Sequence, residues 1–155
     1  MDNPVYTAEA RIEGGRDKGR GWTPRGELDV RLRLPEALGG NGDGANPEQL
    51  FAIGYAGCFE AVMMAAAKTV GLRGSDVSDV AIDARVLLLK GDDATFTLGA
   101  ELDVELPSVD DPEKAVELIN AAHRLCPYSR AIRGNVDVAI TVNAIEVDSH
   151  LATAA

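Results

Sequence analysis

The sequence predicts an α+β fold, antiparallel sheets packed around a long central helix, and three features predict it. Alternating polar and apolar runs early, in the middle and late in the chain read as strands; one continuous apolar segment, Phe51 to Ala67, reads as a buried helix; and a segment opening at Asp111 carries apolar residues at helical spacing. The order that results is two strands, a long helix, two strands, a helix and a strand.

Tyr6, Ala8, Ala10 and Ile12 alternate with Thr7, Glu9, Arg11 and Glu13, the period-2 pattern of a strand with one buried face, which Gly14 and Gly15 end. After a polar, glycine-bearing turn through Pro24, Leu28, Val30, Leu32 and Leu34 alternate with Asp29, Arg31 and Arg33, giving a second strand and a hairpin. Pro35 to Ala45 is glycine-rich and reads as a surface loop; it lacks the Gly-Lys-Ser/Thr ending of a phosphate-binding loop. Asn46-Pro47 is a helix-start pair and Gly71 a stop, so the helix should span about 24 residues. Its middle is apolar on nearly every face, with small residues at Gly54, Gly57, Ala61 and Ala65, and a chain this short covers such a helix poorly alone.

Val80, Ile82, Ala84, Val86 and Leu88 form a third strand and Phe96 through Leu106 a fourth, with Gly91-Asp92-Asp93 as the turn between them. Asp111-Pro112 opens a helix with Ala115, Leu118, Ile119, Ala122 and Leu125 on one face. Cys126-Pro127 repeats the cap-then-proline pattern and starts a short helix that Gly134 stops. Val136, Val138, Ile140 and Val142 line a last strand, and residues 144–155 form a tail without evident role.

The 155 residues are 46% hydrophobic, enough for one folded domain over 1–155 with its own core. Twenty-five acidic residues against 15 basic ones, a formal charge of −10, argue against nucleic acid or an acidic membrane surface as partner. The start, MDNPVYTAEA, lacks the features of a secretory signal, so the chain is expected to stay in the reducing cytoplasm. The apolar run falls short of the roughly 20 residues that a bilayer span requires.

In that compartment two cysteines are seldom a structural staple, and Cys58 and Cys126 stand too far apart for a zinc-knuckle or CxxC spacing. They are inert core or redox chemistry. A cysteine in the middle of a buried helix, as Cys58 is, ordinarily behaves as a small hydrophobe; at a helix N-cap, where Cys126 is expected, unpaired N–H groups and the helix dipole favour a thiolate. Peroxide reduction would need a thiolate held by a cation, because an ordinary thiol near pKa ~8.5 is largely protonated at neutral pH. Arg16, Arg20, Arg25, Arg130 and Arg133 are the candidates, and Glu48, in the first turn of the Cys58 helix, could hold an arginine fork.

The run NPEQLFAIGYAGCFEAVM at 46–63, HRLCPYSRAIRGNVDV at 123–138 and GGRD at 14–17 together resemble the organic hydroperoxide resistance family of the OsmC-like superfamily, over about residues 5–143. The resemblance implies a thiol peroxidase for hydrophobic organic hydroperoxides, including those of fatty acids. Cys58 matches the attacking cysteine, Cys126 the resolving one, Arg16 the arginine that activates the thiolate, and Glu48 the carboxylate that positions that arginine. It also implies an intertwined homodimer and recycling by an external dithiol, such as the lipoyl groups of lipoylated proteins, with no metal, flavin or haem.

The chain departs from the family pattern at Ala56 and Gly57, where YSACF is usual, and in DKGRGWTPRG after Arg16, which makes Arg20 a fallback cation. Trp22 and Phe59 could line an apolar pocket for the peroxide or could be ordinary packing. His123 reads as a solvated helix-surface residue, Glu60 as a solvent or interface contact, and Met63 and Met64 as core. Two further functions stay open: an OsmC-type peroxidase with another substrate and reductant, and a non-catalytic module for a lipid-like ligand.

Overall fold

The computed structural model describes residues 3–148. The fold divides into two compact units at the junction between Leu50 and Phe51. The first holds an antiparallel three-stranded sheet, β1 (Arg11–Glu13), β2 (Gly19–Trp22) and β3 (Asp29–Leu32), with the short helix α1 (Gly15–Lys18) between β1 and β2. The expected first strand shrinks to its last three residues because its partner is short: Arg11 faces Trp22, the end of β2, and among the described residues no strand stands opposite residues 6–10.

Strand β2 replaces the expected turn. Its alternation is real, since Gly19 and Gly21 are buried and Arg20 is exposed, but glycine at the inward positions supplies no apolar signal. Both glycines are required by space: a Cβ on Gly19 would stand 2.4 Å from the Gly15 carbonyl oxygen, and one on Gly21 2.6 Å from Ile12 Cδ1. The loop at 35–45 returns to β3 through two hydrogen bonds, Arg33 N–H to Ala45 O at 2.8 Å and Ala45 N–H to Arg31 O at 2.9 Å.

Helix α2 (Pro47–Thr69) opens with reciprocal capping. Asn46 Oδ1 accepts from the Gln49 N–H at 2.9 Å, and Gln49 Oε1 accepts from the Asn46 N–H at 3.0 Å. It closes at Gly71, φ 77°, with the Leu72 N–H returning to the Ala67 carbonyl at 2.9 Å. Its 23 residues reach beyond the apolar run and are long and apolar enough, by length and composition, to cross a membrane. Only one stripe of it, Tyr55, Phe59, Met63, Ala66 and Ala67, is buried in the core of the second unit. As expected of so short a chain, the helix is covered poorly by the single copy: Ile53 is 72% exposed, and Met64, expected in the core, is 45% exposed.

The second unit carries a four-stranded sheet in the order β4 (Ala81–Lys90), β5 (Phe96–Glu105), β6 (Asp137–Val142), β7 (Ile145–Val147). Strands β4 and β5 form the expected hairpin. The sheet is not wholly antiparallel, however, because β6 pairs parallel to β5. The connection between them is α3 (Pro112–Leu125) and α4 (Pro127–Ile132), and a helical crossover of this length delivers the returning strand in the same direction. The Asp111 carboxylate caps α3 by accepting from the Glu113 and Lys114 N–H groups, and Ala115, Leu118, Ile119 and Ala122 are its buried face.

Part of the supposed tail is structural. Asn143 and Ala144, both at positive φ (47° and 65°), make a two-residue turn that folds Ile145–Val147 back onto β6. Asn143 Oδ1 also accepts from the Leu106 N–H at 2.8 Å, tying the turn to the end of β5. The remainder of the expected tail, 149–155, lies outside the described residues.

Candidate active site

In the second unit the chain brings its two cysteines together. Cys58 sits on α2 one turn after Tyr55, beside the buried stripe, and is half-buried. Cys126 is the hinge between α3 and α4: its N–H donates to the Ala122 carbonyl at 2.8 Å, closing one helix, and its carbonyl accepts from the Arg130 N–H at 2.9 Å, opening the next. Pro127 takes the first position of α4, where a missing N–H costs nothing. Cys126 is fully buried and its sulfur makes no capping bond, so the expectation of a thiol set against free N–H groups is replaced by a different contact. Its Sγ lies 3.6 Å from Cys58 Sγ. Both thiols are free. A disulfide bond is about 2.05 Å long, so an approach of about 1.5 Å would join them.

Several contacts between α2 and α4 hold this geometry. The Tyr55 and Ser129 hydroxyls, both fully buried, are hydrogen-bonded at 2.9 Å. The Tyr128 ring stacks on Tyr55 with centroids 6.1 Å apart and planes at 14°, and Phe51 meets both rings edge-on. Gly54 leaves room for Tyr128: a Cβ there would stand 3.0 Å from the Tyr128 hydroxyl oxygen. Gly57, by contrast, has open space above it, so its departure from the family pattern relieves no clash in the chain.

Burial pushes the Cys58 thiol above its ordinary range; the Tyr128 backbone N–H pulls it down, and Cys126 raises it. The Tyr55 phenol is pushed up to about 12, chiefly by burial, and stays protonated as a hydrogen-bonding group.

The family model for OsmC-like proteins matches residues 40–141. The organic hydroperoxide resistance protein of Xanthomonas axonopodis pv. citri is 43% identical over 141 residues, spanning 89% of this chain and 94% of that protein. Among solved structures, the organic hydroperoxide resistance protein OhrB of Bacillus subtilis superposes with a TM-score of 0.79 at 40% identity, covering 90% of this chain and all of that one. The chain belongs to the organic hydroperoxide resistance branch of the OsmC-like family. An organic hydroperoxide resistance protein from Legionella pneumophila gives the same picture, with a TM-score of 0.80, 39% identity and coverage of 90% and 98%.

On this OsmC-like chain the other expected site residues lie as follows. Arg16 is in α1, behind Gly14 and Gly15 at positive φ, and its side chain lies outside the described residues. Glu48 is in the first turn of α2, half-buried, in the first unit. Arg20, the fallback cation, is exposed and engaged: its Nε donates to Asp29 Oδ1 at 2.8 Å and its guanidinium lies 5.1 Å from the Trp22 ring centroid. Trp22 is half-buried in β2, with Arg11 also against its ring at 5.9 Å. Phe59 is fully buried, edge-on to Tyr55 at 6.3 Å. Glu60 is exposed.

His123 corrects its expectation. It is 5% exposed rather than solvated, its Nδ1 has no hydrogen-bond partner among the described residues, and Arg133 donates to its carbonyl at 3.0 Å. Burial, with the Arg133 charge adding to it, lowers its pKa from 6.5 to about 4. A folded value below the unfolded one means that the unfolded chain alone holds the proton between these limits, so stability falls as pH drops through that window. The loss reaches up to about 3 kcal/mol by pH 4. Urea denaturation from pH 7 to 4 should show this acid loss shrinking in His123→Gln relative to the unsubstituted protein.

Sequence reasoning missed Tyr55, Tyr128 and Ser129 as site residues. The signal was available: Tyr128 and Ser129 belong to the CPYS run, and Tyr55 precedes Cys58 by one helical turn.

Proposed function

We propose that this protein reduces organic hydroperoxides by a two-thiol cycle. The observation that carries the reading is the 3.6 Å contact between Cys58 and Cys126, brought together from α2 and the α3–α4 hinge in a family whose relatives are named for organic hydroperoxide resistance. The Cys58 thiolate attacks one peroxide oxygen; the O–O bond breaks, the alkoxide leaves and takes a proton as alcohol, and Cys58 becomes a sulfenic acid. The Cys126 thiol attacks that sulfur, expelling water and forming the disulfide. An external dithiol, such as a dihydrolipoyl group, then reduces the disulfide by exchange and is itself oxidised. The electron balance closes on sulfur, without metal, flavin or haem.

The half-buried Cys58 is the attacking sulfur because the fully buried Cys126 cannot meet substrate first. The burial that raises the Cys58 thiol calls for a cation, a role assigned to Arg16 on the GGRD match, with Glu48 holding the guanidinium. A half-buried thiol packed against the apolar core suits an alkyl or aryl hydroperoxide better than hydrogen peroxide. The assay is consumption of cumene hydroperoxide and of hydrogen peroxide with dihydrolipoamide as reductant. Faster turnover of the organic peroxide supports the reading; no turnover of either by the fully reduced protein favours a binding module.

The protein acts as a homodimer in this reading. The unburied face of α2, with Ile53, Gly57, Ala61 and Met64, gives the second copy an apolar surface to cover, and small residues allow close approach. Ile53→Glu should shift a dimer toward monomer in light scattering after size exclusion.

A further inference from the structure

The two sulfurs are not the only bridge between α2 and α4. One turn before Cys58 stands Tyr55, and three residues after Cys126 stands Ser129; their hydroxyls meet at 2.9 Å, alongside the 3.6 Å sulfur contact. Both side chains are fully buried, so this bond has no water to replace it. Helix α4 has only six residues and its N-cap sulfur makes no capping bond, which leaves it dependent on such lateral ties. The tie is insensitive to pH in the physiological range because the Tyr55 phenol ionises only near about 12.

We infer that the Tyr55–Ser129 hydrogen bond is a positioning device for disulfide closure: it holds Cys126 within reach of Cys58, so that the Cys58 sulfenic acid condenses with the Cys126 thiol, releasing water, before a second peroxide oxidises it to sulfinic acid. Neither residue touches the reacting oxygen. The inference deepens the peroxidase reading and rests on it for the sulfenic acid step, but the closure geometry exists independently of any peroxide.

That independence supplies the test. The disulfide is formed with diamide and equilibrated in dithiothreitol redox buffers, first in the unsubstituted protein, then in Tyr55→Phe, Ser129→Ala and the double variant. Without the tie, two looser thiols must be ordered on closure, so reduction should become about tenfold easier, a shift of about 30 mV. The double variant should match the singles, because all three remove one bond. In excess cumene hydroperoxide, the same variants should convert a several-fold larger fraction of Cys58 to sulfinic acid at each turnover, read by peptide mass spectrometry. Thr141→Val, which removes the Thr141–Asp103 bond within the sheet, controls for lost stability and should leave the disulfide equilibrium in place.

An unchanged equilibrium in folded Tyr55→Phe and Ser129→Ala would overturn the inference, as would an equal shift in Thr141→Val. Failure of both variants to fold would overturn it too, since the bond would then hold the fold rather than the sulfurs. A protein that closes its disulfide with diamide yet consumes no peroxide would sink the peroxidase reading while leaving the positioning result intact.

Discussion

Cys58→Ser is expected to lose hydroperoxide consumption by on the order of 10³-fold or more. A serine hydroxyl at the same point on α2 is far less acidic and less nucleophilic than a thiol, and cannot form the sulfur–oxygen species on which the cycle depends. The substitution should leave the fold alone, because Cys58 is half-buried, whereas its neighbour Phe59 is fully buried. Far-UV circular dichroism and the urea midpoint should therefore stay near their unsubstituted values while the cumene hydroperoxide assay falls to background. Retained turnover would move the attack to another group.

Cys126→Ser should separate the first turnover from all later ones. The thiolate still attacks, so a first equivalent of alcohol appears, but the sulfenic acid has no partner 3.6 Å away, steady-state turnover with dihydrolipoamide falls at least about tenfold, and excess peroxide releases one more alcohol for each further oxygen it adds to Cys58. Peptide mass spectrometry after excess peroxide should then find sulfinic and sulfonic acid at Cys58. The buried hydroxyl that replaces the thiol also costs about 1–3 kcal/mol of stability, visible in the urea midpoint. The two cysteine variants thus have different signatures. Loss of the first equivalent in Cys126→Ser as well would mean that the two thiols act as one attacking unit rather than in sequence.

The sequence shows helices and strands wherever local pattern and packing agree. Asn46-Pro47, Gly71 and Asp111-Pro112 mark helix ends that the capping hydrogen bonds then realise, and the alternation from Val80 to Leu106 becomes the β4–β5 hairpin. Strand β2 escaped because glycines occupy its inward positions, required by the close approach of Ile12 and the Gly15 carbonyl. Strand β7 escaped because its turn is Asn143-Ala144, without the glycine that usually marks such a hairpin. The parallel pairing of β5 and β6 is a property of the crossover, which no periodicity encodes.

At the site, the residue types that carry chemistry were visible and their support was not. Cys58 and Cys126 stand out by number and context, but their meeting depends on α4 docking along α2, a contact between segments far apart in sequence. Tyr55 and Ser129 read individually as an aromatic and a small polar residue; only the fold reveals that both are buried and bonded to each other. His123 was misjudged for the same reason. By helical spacing it follows Ile119 by one turn, at the edge of the apolar face, where a polar side chain reads as solvated; the fold instead buries it, with Arg133 at its carbonyl.

The central claim is that peroxide itself drives Cys58 and Cys126 into a disulfide. The direct measurement mixes the fully reduced protein with one equivalent of cumene hydroperoxide, without added dithiol, and maps its peptides under non-reducing conditions alongside assay of the alcohol. The account predicts one equivalent of alcohol and a Cys58–Cys126 linked peptide pair that dihydrolipoamide separates again. Peroxide left intact beside two free thiols would contradict it.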